Sequence, residues 1–261
     1  MYRALLAAQV RGQLQYRASF AVDLAANALV TALDVASVLV LFTVVPSLGG
    51  FDVREALLIA ALAGLAFAIA DVAVGNVGRL PRHVREGTFD AMLVRPLGSL
   101  AQLAVAEFSL RRAGRVLQAL VVLPIALAVN DVAWSAATVA LLVVTPLAGA
   151  VAFGSVFVVG ATLTFWLVES GEVANAFTYG GRDFTSYPIT IYAGWFRRLF
   201  AYAVPFAFVA YLPALALLGR PDPLGAPGWL GWCGVPVAAA CATAAGLVWR
   251  AGVRRYRSTG S

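Results

Sequence analysis

Long runs of apolar residues, separated by short polar segments, dominate this chain. Six of the runs have about the length that crosses a bilayer as a helix, which is roughly twenty residues. The six runs cover residues 19–46, 56–77, 104–129, 134–168, 199–219 and 229–250. Pro46, Gly49 and Gly50 end the first run, and Asn130 with Asp131 separates the third from the fourth. The pattern predicts an all-α integral membrane protein with six transmembrane helices.

The composition supports a membrane domain. The chain is 61% hydrophobic, whereas soluble proteins are roughly 45–50% apolar. No polar stretch is long enough to fold alone, so residues 1–261 are predicted to form a single transmembrane domain. Within residues 1–18, Leu6, Val10 and Leu14 share one helical face, which weakly favours a helix lying on the membrane surface.

The basic residues indicate the orientation. All 19 are Arg, and the absence of Lys excludes a Walker A phosphate loop and Schiff-base chemistry. If both termini are cytoplasmic, every Arg except Arg54 and Arg220 falls in or beside a cytoplasmic segment. The positive-inside rule therefore predicts cytoplasmic termini and accounts for the high pI without a nucleic-acid partner.

Catalysis and metal binding have little support in the sequence. There is one His, and Cys233 and Cys241 lie about 12 Å apart if they share one helix, which is too far for a disulfide. Neither a nucleophile–base pair nor a set of metal ligands is evident. We therefore predict no catalytic residue, no metal site and no cofactor bound by this chain.

The most informative polar segment, residues 78–97, lies between the second and third apolar runs. Pro81 suits the first turn of a short helix, and Gly87 suits its left-handed end. Thr88 can then cap a second helix that has Asp90 in its first turn. On spacing alone, a solvated loop carrying positive-inside charges is an equally good interpretation.

The same segment carries a family resemblance. The string Arg85-Glu86-Gly87-Thr88-Phe89-Asp90, followed by Leu93, Arg95 and Pro96, resembles the cytoplasmic motif of ABC-2 type transporter permeases. Residues 187–192 and 205–214 are also similar to that family, although Ala210 stands where an Asn often precedes the Tyr. The chain is most similar to bacterial six-span permeases that work with a separate daunorubicin-resistance-like ATPase.

The resemblance implies a transport subunit of the bacterial inner (cytoplasmic) membrane rather than an enzyme. The implied partners are an ABC ATPase dimer, which binds ATP and Mg, a second ABC-2 permease of the same or another sequence, and membrane lipid. In the family, the segment after the second span acts as a coupling helix in a groove of the ATPase. The resemblance assigns ATPase coupling to Arg85, Glu86, Gly87, Thr88, Phe89, Asp90, Leu93, Arg95 and Pro96, with Gly87 serving backbone shape.

A few polar residues and prolines interrupt the apolar runs. Asp34 and Asp71 are costly at membrane depth, so each either binds another helix or faces a watery path. The alternative to an ATP-driven exporter is therefore a proton-coupled secondary transporter that uses these two carboxylates. Pro205 and Pro213, which flank Tyr211 in the fifth run, predict a kink that serves either gating or static packing.

Residues 169–198 are predicted to form a second cytoplasmic connection. Its expected contacts with the ATPase or the second permease are Glu169, Glu172, Tyr187 and Pro188. Small residues of the fourth run, such as Gly149, suit close helix packing or a dimer face. The sequence does not identify the substrate, and the resemblance implies drugs, lipids, peptides or other amphiphiles.

Overall fold

The computed structural model describes residues 17–106, 110–167 and 171–256, and these residues are overwhelmingly helical. Within these ranges there is no β-strand, although Leu48 and Phe51 form an isolated bridge in a tight turn. The α-helices are α1 Arg17–Val44, α2 Val53–Val74, α3 Leu80–Arg85, α4 Thr88–Leu93, α5 Ser99–Val105, α6 Leu110–Ala128, α7 Ala136–Thr162, α8 Gly171–Thr185, α9 Gly194–Arg197, α10 Tyr211–Leu218 and α11 Gly234–Arg255.

Three helical stretches in this part of the chain are long and apolar enough to cross a membrane. They are Val53–Arg85, Ala136–Phe165 and Gly234–Arg255. A fourth candidate is the pair Gly194–Ala203 and Phe206–Leu218, which is bent by 65° at the break between its halves. The described chain is therefore an all-helical membrane protein, and α1 and α6 coincide with the first and third predicted runs.

Contacts along α2 define two opposite ends of the helix bundle. At the first end, which we term the Gly49 end, Arg220 forms an ion pair with Glu55, and Asn130 donates a hydrogen bond to the Arg54 carbonyl over 2.8 Å. The polar segment 78–97 follows the other end of α2, which we term the polar end. Since α2 has 22 residues, its ends are about 33 Å apart.

Helix α8 and the residues after it run from the polar end to the Gly49 end. Asn175 lines a small cavity together with Gly78 at the polar end. Fifteen residues later, Thr190 is in direct contact with Gly49. Residues 171–191 therefore extend along most of the length of α2.

This path corrects the predicted second cytoplasmic connection at 169–198. Glu172 lies near the polar end, whereas Tyr187 shares a cleft with Leu57, and Pro188 leads into the Gly49 contact. The two halves of this segment are thus at opposite ends of the bundle. The prediction failed because α8 has only one apolar face. The average hydropathy of such a helix is as low as that of a polar loop.

The fifth predicted run is also not a straight crossing. Both ends of the bent pair lie at the Gly49 end, while its bend reaches inward, where the Phe206 ring lies 5.4 Å from Phe153 of α7. Pro205 stands at the break, where a proline cannot continue the preceding helix. Pro213 lies in the first turn of α10, where its missing N–H leaves no helical bond unmade, so it produces no kink. The two halves of the pair therefore form a hairpin whose ends lie at the same end of the bundle.

The core forms where α2 and α7 pack closely. The Phe67 ring makes edge contacts with Phe153 at 5.3 Å and with Phe157 at 5.6 Å. A Cβ added to Gly149 would lie only 2.8 Å from the Ala66 methyl, so this position permits the close approach of the two helices. Of the two roles left open for Gly149, packing within the chain is the one observed.

Candidate functional site

The polar segment folds into short helices, as its turn signals predicted. Helices α3 and α4 join at Gly87, which has φ +67° and so requires the conformational freedom of glycine. Pro81 lies in the first turn of α3, and Asp90 lies in the first turn of α4. These three sequence predictions are confirmed.

Thr88 has a different role from the predicted cap. It is the first residue of α4, and its hydroxyl oxygen lies 2.8 Å from His83 Nδ1. The Thr88 hydroxyl and the His83 ring share this hydrogen bond, and the hydroxyl also lies within donor distance of the His83 carbonyl, at 3.3 Å. Glu86 pairs with Arg82 over 2.8 Å on the exposed side of α3. The turn between α3 and α4 is therefore held by side chains on both sides of Gly87.

Phe89 is fully buried, with 0% of its surface exposed. Its ring lies 5.5 Å from Phe165, 6.3 Å from Trp249 and 5.2 Å from Tyr256. The side chain is enclosed by its own protein, so the coupling role predicted for Phe89 stays a prediction that involves no direct contact of its ring with a partner. It anchors α4 to the end of α7 and to the last turns of α11.

Two further contacts fix the same anchor. Burial raises the pKa of the Tyr256 phenol, and its interaction with the Asp90 carboxylate raises it further. The buried Gln102 side chain donates hydrogen bonds to the carbonyls of Met92 at 2.8 Å and Leu97 at 2.7 Å. Gln102 was missed from the sequence, since a single amide in an apolar helix gives no signal of the carbonyls it will meet.

The opposite face of the polar segment is exposed and carries both charged and apolar side chains. Arg85, Arg95 and Pro96 are exposed. Apolar side chains are exposed beside them, with Val94 at 85% and Leu93 at 40%. Val94 was not singled out from the sequence, although exposed apolar side chains next to charges are typical of protein interfaces.

Asp71, which is buried, forms an ion network about two helical turns before the polar segment. Its carboxylate lies 3.4 Å from Arg112 Nε and 3.0 Å from Arg115 Nη2. Arg112 also donates a hydrogen bond to Asn76 Oδ1 over 2.7 Å, and Asn76 donates to the Ala104 carbonyl over 3.0 Å. The network joins α2, α5 and α6. It gives Asp71 partners on another helix, which is one of the two roles left open for this residue.

The other predicted path and contact residues have varied positions. Tyr211 is buried, and its hydroxyl donates to Asp222 Oδ1 over 2.6 Å, which makes it a fixed anchor at the Gly49 end. Asp34 lies on α1, but its side chain is outside the described part of the structure, and Glu169 lies outside the described residues. No group of His, Cys, Asp and Glu side chains that could hold a metal occurs among the described residues.

Helix α8 presents a polar face along the helix bundle. Glu172, Asn175, Tyr179 and Asp183 follow one another at helical spacing, and all four are exposed. The Tyr179 ring lies 6.0 Å from Phe67, in the second half of α2, which shows that the face lies well inside the bundle's length. Ionisable groups at such depth are costly against lipid, so this face is suited to water or to another protein chain.

The fold and these sites define a multi-pass membrane protein. At one end it carries a polar segment that is anchored to the bundle on one face and exposed on the other. A sequence profile of the family described as ABC-2 family transporter protein matches residues 28–260. The chain belongs to this family, and it is a membrane transport component rather than a catalyst in its own right. No curated protein and no solved structure matches the chain.

Proposed function

We propose that this chain is the membrane-spanning subunit of an ATP-driven exporter in the bacterial cytoplasmic membrane. The observation that carries the proposal is the polar segment, in which a buried Phe89 fixes two short helices to α7 and α11 while charged and apolar side chains face outward. A separate ATPase dimer, which binds ATP and Mg, docks on that face. A second permease, identical or related, completes the translocation path.

The proposed topology retains six crossings but reassigns one of them. The crossing helices are α1, α2, α6, α7, α8 and α11, with both termini and the polar segment in the cytoplasm. The bent pair is then a hairpin that enters from the outer side. Arg182 moves to membrane depth, and Arg197 and Arg198 move to the outer side, yet Arg remains concentrated in the cytoplasmic segments.

Rigid contacts at the polar segment provide the coupling. ATP binding closes the ATPase dimer and displaces α3 and α4 as one body. The Phe89 cluster passes this displacement to α7 and α11, and the Asp71 network passes it to α6. Packed cores and paired charges transmit such rigid-body movements because they deform little.

The polar face of α8 lines the translocation path for the substrate. Glu172, Asn175, Tyr179 and Asp183 line one side of an aqueous route, and the second permease closes the other side. This arrangement keeps the charged groups away from lipid. The proton-coupled alternative has no comparable support, since the described carboxylate on which it relies, Asp71, is held by two arginines.

Labelling of single cysteines tests the topology. In a variant with Cys233 and Cys241 replaced by alanine, we expect Trp195→Cys to react with a membrane-impermeant maleimide added outside, because Trp195 is 72% exposed at the start of the hairpin. Arg85→Cys should react only after the cytoplasmic side is opened. Labelling of Trp195→Cys from the inside alone would refute the outer hairpin.

Charge insertion in the polar segment tests the docking face. Leu93→Asp and Val94→Asp should each weaken binding of the ATPase by at least about tenfold, which corresponds to ~1.4 kcal/mol, because a carboxylate at a packed interface must be desolvated. Copurification of the ATPase and substrate-stimulated ATP hydrolysis measure the effect.

The matched control is Leu224→Asp, since Leu224 has 38% exposure against 40% for Leu93 but lies near the Gly49 end. It should leave the complex intact. Normal assembly and normal stimulated hydrolysis in both polar-segment variants would show that the ATPase binds elsewhere, and would remove the main support for the proposed function.

A further inference from the structure

A cavity of about 680 Å³ lies at the polar end, between α3, the end of α7 and the last turn of α11. Arg254 and Arg255 line it from α11, and its other walls include Val84 and Phe165. Both arginines are exposed, and neither forms an ion pair or a side-chain hydrogen bond with a residue in the described part of the chain. Guanidinium groups bind phosphate well, because their fixed N–H donors match its oxygens.

The charge of the chain around this cavity favours an anion. Three segments contribute its lining: residues 78–97, 163–176 and 243–261. Together they carry eight Arg and four Asp or Glu, a count that includes Glu169, which lies outside the described residues. Adding Asp23, Asp34 and Glu107, whose side chains are also outside the described part, would still leave more Arg than acidic residues. The excess of positive charge therefore does not depend on how individual residues pair.

An apolar groove of about 340 Å³ lies deeper in the bundle, between α7, α8, α11 and the break of the hairpin. Its lining includes Val156, Phe177, Pro205 and Ala244. The described residues that line it include no charged side chain, and its Ser155 hydroxyl is already donated to the Val151 carbonyl over 2.7 Å. Ala244 is exposed, so the groove opens on the surface of the bundle. Apolar surface of this kind suits a hydrocarbon chain.

The groove and the cavity are connected along one face of α11. That face consists of Ala244, Val248, Ala251 and Arg255, which follow at helical spacing. Leu163 lines the groove, and its neighbour in the chain, Thr164, lines the cavity. The eleven residues from Ala244 to Arg255 cover about 16 Å of helix. This length is close to the roughly 15 Å of hydrocarbon in one leaflet, which is half of a bilayer core.

We infer that the cavity and the groove form one site for an anionic phospholipid of the leaflet at the polar end. Its phosphate lies between Arg254 and Arg255, and one acyl chain follows the exposed face of α11 into the groove. A lipid fits better than free phosphate, because the groove lies one leaflet's depth from the arginines. Phe165 and Tyr256 line the cavity and also enclose Phe89, so the bound lipid supports the anchor of the polar segment.

Native mass spectrometry tests the site by counting the lipids bound to the purified full-length chain in mild detergent. The delipidated chain is titrated with phosphatidylglycerol or with phosphatidylcholine that has the same acyl chains. We expect the first phosphatidylglycerol to bind at least about tenfold more tightly, because only this lipid carries a net negative charge. Glycerol phosphate in excess should not displace it. Equal binding of the two lipids, or displacement by glycerol phosphate, overturns the inference.

A pair of double variants tests the head-group position. Arg254→Gln combined with Arg255→Gln should remove the preference for phosphatidylglycerol, whereas the corresponding lysine variant should keep most of it. The matched control is Arg197→Gln combined with Arg198→Gln, an adjacent pair of arginines at the Gly49 end. The control should retain the full preference. An unchanged preference in the first double variant would place the lipid phosphate elsewhere and overturn the site.

A second pair of variants tests the acyl-chain position. Ala242 and Ala244 are both exposed on α11, but only Ala244 lines the groove. Ala244→Phe should therefore weaken binding of phosphatidylglycerol at least tenfold, and Ala242→Phe should leave it unchanged. Thermal unfolding identifies loss through misfolding, in which case the smaller Ala244→Leu change is used. Unchanged binding in the folded Ala244 variant overturns the site. The experiment involves neither ATPase nor transport, so its failure leaves the docking experiment unaffected.

Discussion

Replacement of Phe89 by alanine is expected to uncouple ATP hydrolysis from transport. The ring is fully buried among Phe165, Trp249 and Tyr256, and its removal leaves a cavity where α4 meets α7 and α11. Truncation of a buried Phe costs about 3–5 kcal/mol. The lost packing weakens the attachment of the polar segment to α7 and α11, whereas the long helices retain their own contacts.

The expected phenotype separates assembly from coupling. The Phe89→Ala variant should still insert and bind the ATPase through its exposed face, but substrate should no longer stimulate hydrolysis. Phe89→Leu should retain part of the stimulation because it fills part of the cavity. Trp195→Ala is the control, since it removes an aromatic ring that is 72% exposed. Full coupling in Phe89→Ala would mean that movement reaches the spans by another route.

Neutralisation of Asp71 is expected to destabilise the protein rather than to abolish a proton pathway. Asp71→Asn leaves the half-buried Arg112 and Arg115 without their shared carboxylate. Removal of one partner from a fully buried ion pair typically costs about 3–5 kcal/mol, and the partial exposure of both arginines makes the loss here smaller. We therefore expect a drop in thermal unfolding temperature and in folded yield, while Asp131→Asn, at an exposed position between α6 and α7, has little effect.

A double variant makes this expectation specific. Adding Arg115→Gln to Asp71→Asn removes one of the two positive charges that lack a carboxylate. The double variant should therefore lose less stability than the sum of the losses in the two single variants. Additive losses would contradict direct coupling through the network. A stable Asp71→Asn protein that loses only proton-driven transport would instead favour the secondary-transporter alternative.

The polar segment shows how far sequence patterns reach. Pro81, Gly87 and Asp90 were placed correctly because turn and cap preferences depend on local backbone geometry. The burial of Phe89 was not predicted, because its partners lie about 75 to 170 residues away along the chain. Adjacent charges suggested a surface residue, whereas packing made it the anchor.

The hairpin and α8 show the limit of hydropathy. A helix that crosses a bilayer and one that enters and returns both need apolar residues, so the run 199–219 had the composition of a span. Helix α8 carries Glu172, Asn175 and Asp183 on one face, which lowered its mean hydropathy to that of a connection. Only the contacts of Thr190 with Gly49 and of Arg220 with Glu55 assign both segments their ends.

The sequence by itself determined that this chain is helical, lies in a membrane and carries a distinctive polar segment, because apolar run length, turn residues and the motif from Arg85 to Pro96 are local properties. The tertiary structure decided which segments extend between the two ends, which side chain anchors the polar segment, and which arginines pair with Asp71. These features depend on contacts between residues far apart in the chain, and a buried side chain takes its role from its neighbours in space.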